Sequence, residues 1–507
     1  MKRIIYLVIT TVLLFSVASA QTIDPTFGTN GVVVNEVTSG VDALYKMALQ
    51  PDGKITAIGI ANGKIVLSRY LSDGSLDATF GTSGIKTTTF SCNFGFGAPV
   101  DIQLQSDNKI LILGRNGNTI LLARYETNGA PDTTFGTNGI VSINDLIGAN
   151  NSEYCRRMRI LDNGKIMILG NFQVLQQLFM ARYNSNGSVD TSFGTNGFTT
   201  FSAPENYHGL RAVDFFQQSD HKIIVGISAI NESTGFADFG LIRFQSNGQL
   251  DSSFATDGFV FTHVSLPNVH DIPNTLKSQS DGKILLAGSA GSKFAVVRYN
   301  TNGSLDATFN TTGIASVTVG GAYRECTDIA VEPNGKMVLA GYIGDDFASV
   351  RYKTDGTLDT AYGTNGVFKI DFGTASYDYG SSIIRQPDGK FVMAGWTSHF
   401  CSNRGFALTR FSSPNTGGDL EIHESTSKNS GIICYPNPTN GQLSLRLPET
   451  FLQPTIIIRN IVGQEIMNET FSATNNIDLI LNVNSGVYTL EAFENGKTRA
   501  IFKIVKQ

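Results

Sequence analysis

The chain has 507 residues, 41% of them hydrophobic and only 16% charged, with a formal net charge of −5. That length leaves room for about three domains of roughly 150 residues each, and the weak negative balance gives no basic footprint for nucleic acid. With 53 Gly and 33 Phe against a single Trp, the composition favours turns and aromatic strands, and so an all-β protein.

The chain begins with an address. Lys2 and Arg3 precede an apolar run over residues 4–15, and Ala18, Ser19 and Ala20 offer small side chains for cleavage before Gln21. This pattern predicts a secretory signal peptide over residues 1–20. No later stretch is apolar for long enough to suggest a membrane span.

A repeat then fills the chain to about residue 412. DPTFGTNGV from Asp24 returns as DATFGTSGI from Asp77, DTTFGTNGI from Asp132, DTSFGTNGF from Asp190, DSSFATDGF from Asp251, DATFNTTGI from Asp306 and DTAYGTNGV from Asp359. An Arg-aromatic pair recurs with it: Arg69-Tyr70, Arg124-Tyr125, Arg182-Tyr183, Arg243-Phe244, Arg298-Tyr299, Arg351-Tyr352 and Arg410-Phe411. Turn lysines at 54, 109, 165, 222, 283, 336 and 390 follow Asp-Gly, Asn-Gly or related pairs and lie 53 to 61 residues apart. Such a period belongs to stacked supersecondary units.

Each unit holds four short strand-like runs, A to D, with a hairpin signal between B and C. In one unit they begin near Gly313, Cys326, Lys336 and Phe347. Seven four-stranded units predict a β-propeller of seven blades over residues 21–412. The copy at Asp24 stands before the first A run, and the last D run, ending at Phe411, has no copy after it. The N-terminal copy is therefore expected to close the ring.

Spacing separates the two ends of the blades. From each D aromatic to the Gly opening the next A run is 14 residues in all six internal cases. This constancy suggests a packed blade-to-blade connector whose Phe plugs between sheets, with Asp capping the turn or pairing with the D-strand Arg. A calcium loop is the rival reading, but the string lacks a full series of calcium ligands. The A–B and C–D segments vary in length, and in an up-down blade both lie on one face. Loops on a rigid scaffold carry function, so the expected ligand-binding residues are Tyr154, Arg156, Tyr207, His208, His270, Tyr323, Arg324, Trp396 and His399.

The Q-P-D-G-K, A-R-Y-N and F-G-x-x-G elements resemble delta-60 repeats of secreted bacterial propeller-like proteins, over about residues 23–412. The resemblance implies the fold and assigns no reaction.

Residues 413–430 are polar and read as a linker. From residue 431 a new module begins, with Tyr435-Pro-Asn-Pro438, Asn440-Gly441, Val462-Gly463, Gly486-Val-Tyr488 and Lys503-Ile-Val-Lys506. These motifs resemble the type A C-terminal sorting domain of the type IX secretion system of Bacteroidota. Its short strands suggest a small β-sandwich over residues 431–507. The resemblance implies the secretion machinery as a partner, a secreted or surface-attached destination, and removal of the tail during export.

No HExxH, GxSxG or phosphate-cradling loop occurs among the scattered histidines and carboxylates. The sequence thus favours a monomeric binding scaffold for a glycan or protein ligand, without cofactor or metal. The alternative is a polysaccharide hydrolase or lyase with its site on the variable face. Export permits disulfides, and the blade positions suggest Cys92–Cys155 and Cys326–Cys401 bridges, with Cys434 free.

Overall fold

The computed structural model describes residues 21–91, 101–116, 119–143, 153–172, 176–265, 268–321, 324–373, 376–399, 403–412, 433–435, 441–460, 465–481, 483, 486–494 and 497–506. The chain divides into two compact units, residues 1–416 and 417–507. The first contains seven four-stranded antiparallel sheets. Blade one orders Asp42–Leu49, Ile55–Ala61, Lys64–Tyr70 and Ile85–Ser91 from the centre outward. Blades two to six repeat this order, and the architecture is the expected seven-bladed propeller.

Burial follows from stacking. The second and third strands, such as Ile284–Ala290 and Phe391–His399, are runs of small and apolar side chains because neighbouring blades cover both faces. Ile58, Ile60, Ile65 and Leu67 of blade one share a core with Ile110, Ile112, Leu121 and Ala123 of blade two. Each Ile or Leu among them contributes about 1.5–3 kcal/mol relative to exposure. Outer strands, such as Phe198–Ser202, are only half-buried.

Closure occurs as the sequence implies. In blade seven, Ser376–Arg385, Phe391–His399 and Asn403–Phe411 are completed by Val32–Asn35 from the other end of the chain, with Val32 opposite Thr409. Asp24 Oδ2 accepts from Arg410 Nε at 2.7 Å and from Lys390 Nζ at 2.8 Å.

The strand phase differs from the sequence reading. Each A strand pairs with the D strand before it, as Lys86 opposite Leu67 shows. A blade is therefore B-C-D-A, and the constant connector is a hairpin inside one blade. The link between blades is the variable A–B crossover, which runs from the outer edge of one sheet to the centre of the next. An antiparallel repeat fixes the strand period but not where one sheet stops, so sequence spacing left this open.

The connector nonetheless binds blades together. Asp190 Oδ1 accepts from the Ser192 amide and hydroxyl at 3.3 and 2.7 Å. Its Oδ2 accepts from Arg182 Nε at 2.6 Å and Lys165 Nζ at 2.7 Å. The Arg182 guanidinium lies 4.6 Å over the Phe193 ring and donates to the Ser246 carbonyl of the next blade at 2.6 Å. Phe193 is wholly buried, as are Phe80, Phe135, Phe254 and Phe309. Its ring edge fills the space a Cβ on Gly248 would need, and Gly248 sits at φ +91°. Only glycine meets both demands, which explains the Gly of the turn before each connector.

The second unit pairs two sheets. One orders Ile433–Tyr435, Gln442–Phe451 and Thr474–Ile480; the other orders Glu465–Thr470, Pro454–Asn460, Gly486–Glu494 and Lys497–Lys506. Leu443, Leu445, Ile456, Ile458, Ile477, Leu490 and Ile504 form its core, giving the expected small β-sandwich. The linker over 413–430 lies outside the described residues.

Candidate functional site

The first strands of the blades line the centre of the ring. In blades one, three, four, five, six and seven this strand carries a bulge, a device that re-aims side chains. Eight residues before each turn lysine stand Lys46, Asp101, Arg157, Asp214, Thr275, Asp328 and Ser382, one per blade. They meet across the channel. Lys46 Nζ lies 2.9 Å from Asp328 Oδ2, and Asp328 also accepts from Thr275 Oγ1 and Ser382 Oγ, each at 3.2 Å. Arg159 bridges Asp101, at 3.3 Å, and Asp214. Arg157 Nε lies 3.6 Å from Asp214.

This belt is electrostatically closed. Burial raises the Asp328 carboxyl, but Lys46 and Lys277 outweigh it and hold the group well below the usual carboxylate range. Asp214 is likewise lowered, with Arg159 and Arg157 overcoming its burial. Burial lowers the Lys46 ammonium despite Asp328. The pairs are interdependent, since removing one partner strands a buried charge.

Nearer the variable face, the channel changes character. Glu325 Oε1 accepts from Asn274 Nδ2 at 3.0 Å and Oε2 from the Tyr342 hydroxyl at 3.1 Å. Asn274 Oδ1 accepts from Arg211 at 3.3 Å. The Tyr342 ring packs on Tyr379, with centroids 3.6 Å apart, and Tyr379 stacks on Trp396 at 4.9 Å and 5°. These rings stand at the start of the first strand of blade seven and the ends of second strands in blades six and seven. The topology places both ends at the variable face.

The sequence-derived residues spread around this face. Trp396 belongs to the aromatic stack, and Arg156 occupies the bulge of the blade-three inner strand, half-buried. Tyr207 stacks on Phe261 at 3.8 Å, and its hydroxyl reaches Asp238 at 3.4 Å. His208 is exposed, 3.8 Å from Glu232. His270 Nδ1 accepts from the Ala237 amide at 3.1 Å, and Arg324 donates to the Gly321 carbonyl. Tyr154 and His399 lie in strands, while Tyr323 lies outside the described residues. Sequence reasoning missed Glu325, Tyr342, Tyr379 and Arg211. Counting back from the turn lysine would have found three of them, because Arg211, Glu325 and Tyr379 all stand eleven residues before it.

Three of the five cysteines fall among the described residues. Cys326 is a free, buried thiol. It packs against Leu285, Ala287 and Phe294 of blade five, and its amide binds Ser289 at 3.0 Å. Its expected partner Cys401 lies outside the described residues. Cys155 is buried toward blade two; its expected partner Cys92, like Cys401, lies outside the described residues. Cys434 is a free thiol.

Residues 50–80, 105–135, 161–193, 218–254, 279–309 and 332–362 match the family described as Domain of unknown function (DUF5122) beta-propeller. Residues 433–507 match the secretion system C-terminal sorting domain. The chain carries DUF5122 propeller repeats and a type IX sorting tail. Six matches accompany seven blades because ring closure splits the seventh DUF5122 repeat between residues 386–411 and Asp24–Phe27. The delta-60 resemblance fits these repeats. The tail marks the propeller for export by the type IX machinery, to the medium or the cell surface. Among the described residues no helix is long and apolar enough to cross a membrane.

No curated protein matches the chain. Among solved structures, it is similar to a virginiamycin B lyase from Staphylococcus aureus at 12% identity, covering 75% of this chain and 98% of that one, TM-score 0.42. A protein of unknown function from Dyadobacter fermentans matches at 12% identity, covering 77% and 100%, TM-score 0.41. The propeller domain of the Trilobed protease from Pyrococcus furiosus matches at 11% identity, covering 73% and 93%, TM-score 0.39.

Proposed function

We propose that the exported propeller is a binding scaffold that recognises a glycan at the variable-face mouth of its channel. The observation that carries this reading is the stack of Tyr342, Tyr379 and Trp396 beside Glu325, Asn274 and Arg211. Buried Tyr342 anchors the stack, half-buried Trp396 and Tyr379 offer sugar C–H surfaces an aromatic contact, and the adjoining carboxylate, amide and guanidinium offer hydroxyl partners. Loops of variable length on a rigid ring suit a surface that selects partners.

The enzymatic alternative would draw on Asp101, Asp214, Asp328 and Glu325, which converge on the channel. Glycoside hydrolysis needs one carboxyl kept protonated near neutral pH. Asp214 and Asp328 are shifted the other way, which supports binding over hydrolysis.

A glycan and peptide array with the mature protein tests the reading. The expected result is saccharide binding that the Trp396→Ala variant loses while retaining its fold. Hits confined to peptides, or saccharide hits indifferent to Trp396, would overturn it.

We further infer that export trims both ends: signal peptidase cuts after Ala20, and the sorting tail leaves within residues 412–430, whose polar composition suits a protease. Mass spectrometry of the surface protein would show termini at Gln21 and within 412–430. A mature C-terminus at Gln507 would contradict this.

A further inference from the structure

The crossover from blade four to blade five gathers three ligand-type side chains. Asp238 opens the third strand of blade four, His263 follows its outermost strand, and Asp271 begins the inner strand of blade five. One ligand atom from each lies within 4.8 Å of the others. His263 Nδ1 is 2.9 Å from Asp238 Oδ1 and 3.4 Å from Asp271 Oδ2.

Comparison within the molecule singles out Asp271. Asp42, Asp271 and Asp378 all stand twelve residues before their turn lysines, and each clasps its crossover through backbone amides. Asp42 Oδ1 accepts from Thr38 Oγ1 at 2.6 Å, and Asp378 Oδ1 from Thr397 Oγ1 at 2.6 Å. Blade five has Ala290 where blade seven has Thr397. Asp271 is fully buried, and among the described residues nothing donates to its Oδ1. A buried carboxylate oxygen without a partner is costly; His263 approaches the other oxygen, Oδ2, so a cation held by both oxygens of the Asp271 carboxylate would relieve Oδ1.

The chemistry suits a borderline divalent metal. An imidazole nitrogen and carboxylate oxygens bind zinc at about 2.0–2.2 Å, which at angles near tetrahedral sets ligands roughly 3.3–3.6 Å apart. The His263–Asp271 separation of 3.4 Å falls in that range, and the 2.9 Å His263–Asp238 contact is a hydrogen bond that a bound ion would open by about 0.5 Å. Outer partners are also in place, as metal sites require. The Tyr207 hydroxyl steadies Asp238 Oδ2 at 3.4 Å, and the Val264 and Ser265 amides hold Asp271 Oδ2 at 2.7 and 3.2 Å.

The equivalent cluster at the crossover from blade six to blade seven, Asp346, Asp371 and Asp378, differs on each point. It has no histidine, Lys369 lies 3.1 Å from Asp346, and both oxygens of Asp378 are satisfied. It serves as the internal control.

We propose that Asp238, His263 and Asp271 form a binding site for one divalent transition-metal ion of the zinc type, pinning the crossover between blades four and five. This rests on the crossover alone, independently of the channel mouth. The test is zinc titration of the EDTA-stripped, untagged mature protein by calorimetry, with cobalt absorption as a second readout. The expected result is one equivalent of zinc and visible cobalt bands. His263→Ala should weaken zinc at least tenfold and abolish the bands, Tyr207→Phe should weaken it about tenfold, and Asp378→Asn should change neither. His263 is partly exposed, so its variant should fold, and a metal-free melting curve matching wild type confirms it. No zinc uptake by the wild type, or equal uptake by a folded His263→Ala variant, would overturn the proposal.

Discussion

The two ends of each blade are built on different principles. At the connector end, one short string is repeated seven times, and its Asp and aromatic (Phe, or Tyr362 in one copy), with the preceding strand's Arg, occupy equivalent places in successive blades. At the crossover end, loop lengths and residue types change from blade to blade, and the equivalent positions eleven residues before the turn lysine hold Ala43, Arg211, Ile272, Glu325 or Tyr379. The contrast teaches that a closed ring needs only one end of its blades to be held in common. With the connector belt fixing register and stacking, the opposite face is free to diversify.

Acid should separate the two ends most strongly. Burial raises the carboxyls of Asp24, Asp77, Asp132, Asp190, Asp251 and Asp306, but their lysine, hydroxyl and arginine partners outweigh it and hold them far below the ordinary value. A carboxyl depressed in the fold stabilises above its unfolded pKa of about 3.9, and that stability is lost as pH falls toward the folded value. Melting temperature should therefore be level above about pH 5 and drop steeply below about pH 4. Asp190→Asn should shallow the drop. A flat profile down to pH 2 would mean the belt contributes little.

A single plug comes next. Phe193→Ala should cost about 3–5 kcal/mol in denaturant unfolding, as core Phe truncations do. An unchanged midpoint would show that the ring does not seal neighbouring blades. Arg182→Ala should cost about 1.5–3 kcal/mol, because it removes the charge-assisted bond to Asp190, which keeps Lys165 and Ser192, and the tie to Ser246 of the next blade. On the opposite face, His208→Ala should move stability by no more than about 0.5 kcal/mol, as an exposed loop substitution does. A loss as large as that of Phe193→Ala would erase the distinction between the ends.

The repeat made much of this legible. Seven lysines and seven Arg-aromatic pairs give the blade number, and the copy at Asp24 gives the closure through Arg410. Sheet boundaries were hidden because every antiparallel strand has two possible neighbours, and spacing alone cannot choose between them. The channel belt was hidden for another reason. Its members share a position but not a residue type, so Lys46 and Asp328 look unrelated until folding sets them 2.9 Å apart. Trp396 stood out because it borders the long, variable C–D segment of the last unit, although it lies in the strand Phe391–His399, whereas Tyr342 and Tyr379 lie within strands and read as core.

The chain itself supplies the reporter for its central claim. Trp396 is the single Trp of the sequence, and it stacks on Tyr379 at the mouth of the channel. The decisive measurement is its fluorescence during titration with a saccharide selected on the array. Binding at the mouth predicts a saturable change in Trp396 emission, with the same midpoint as calorimetry, absent in Tyr379→Ala. A saccharide that binds by calorimetry while Trp396 emission stays unchanged would contradict a recognition site at the mouth.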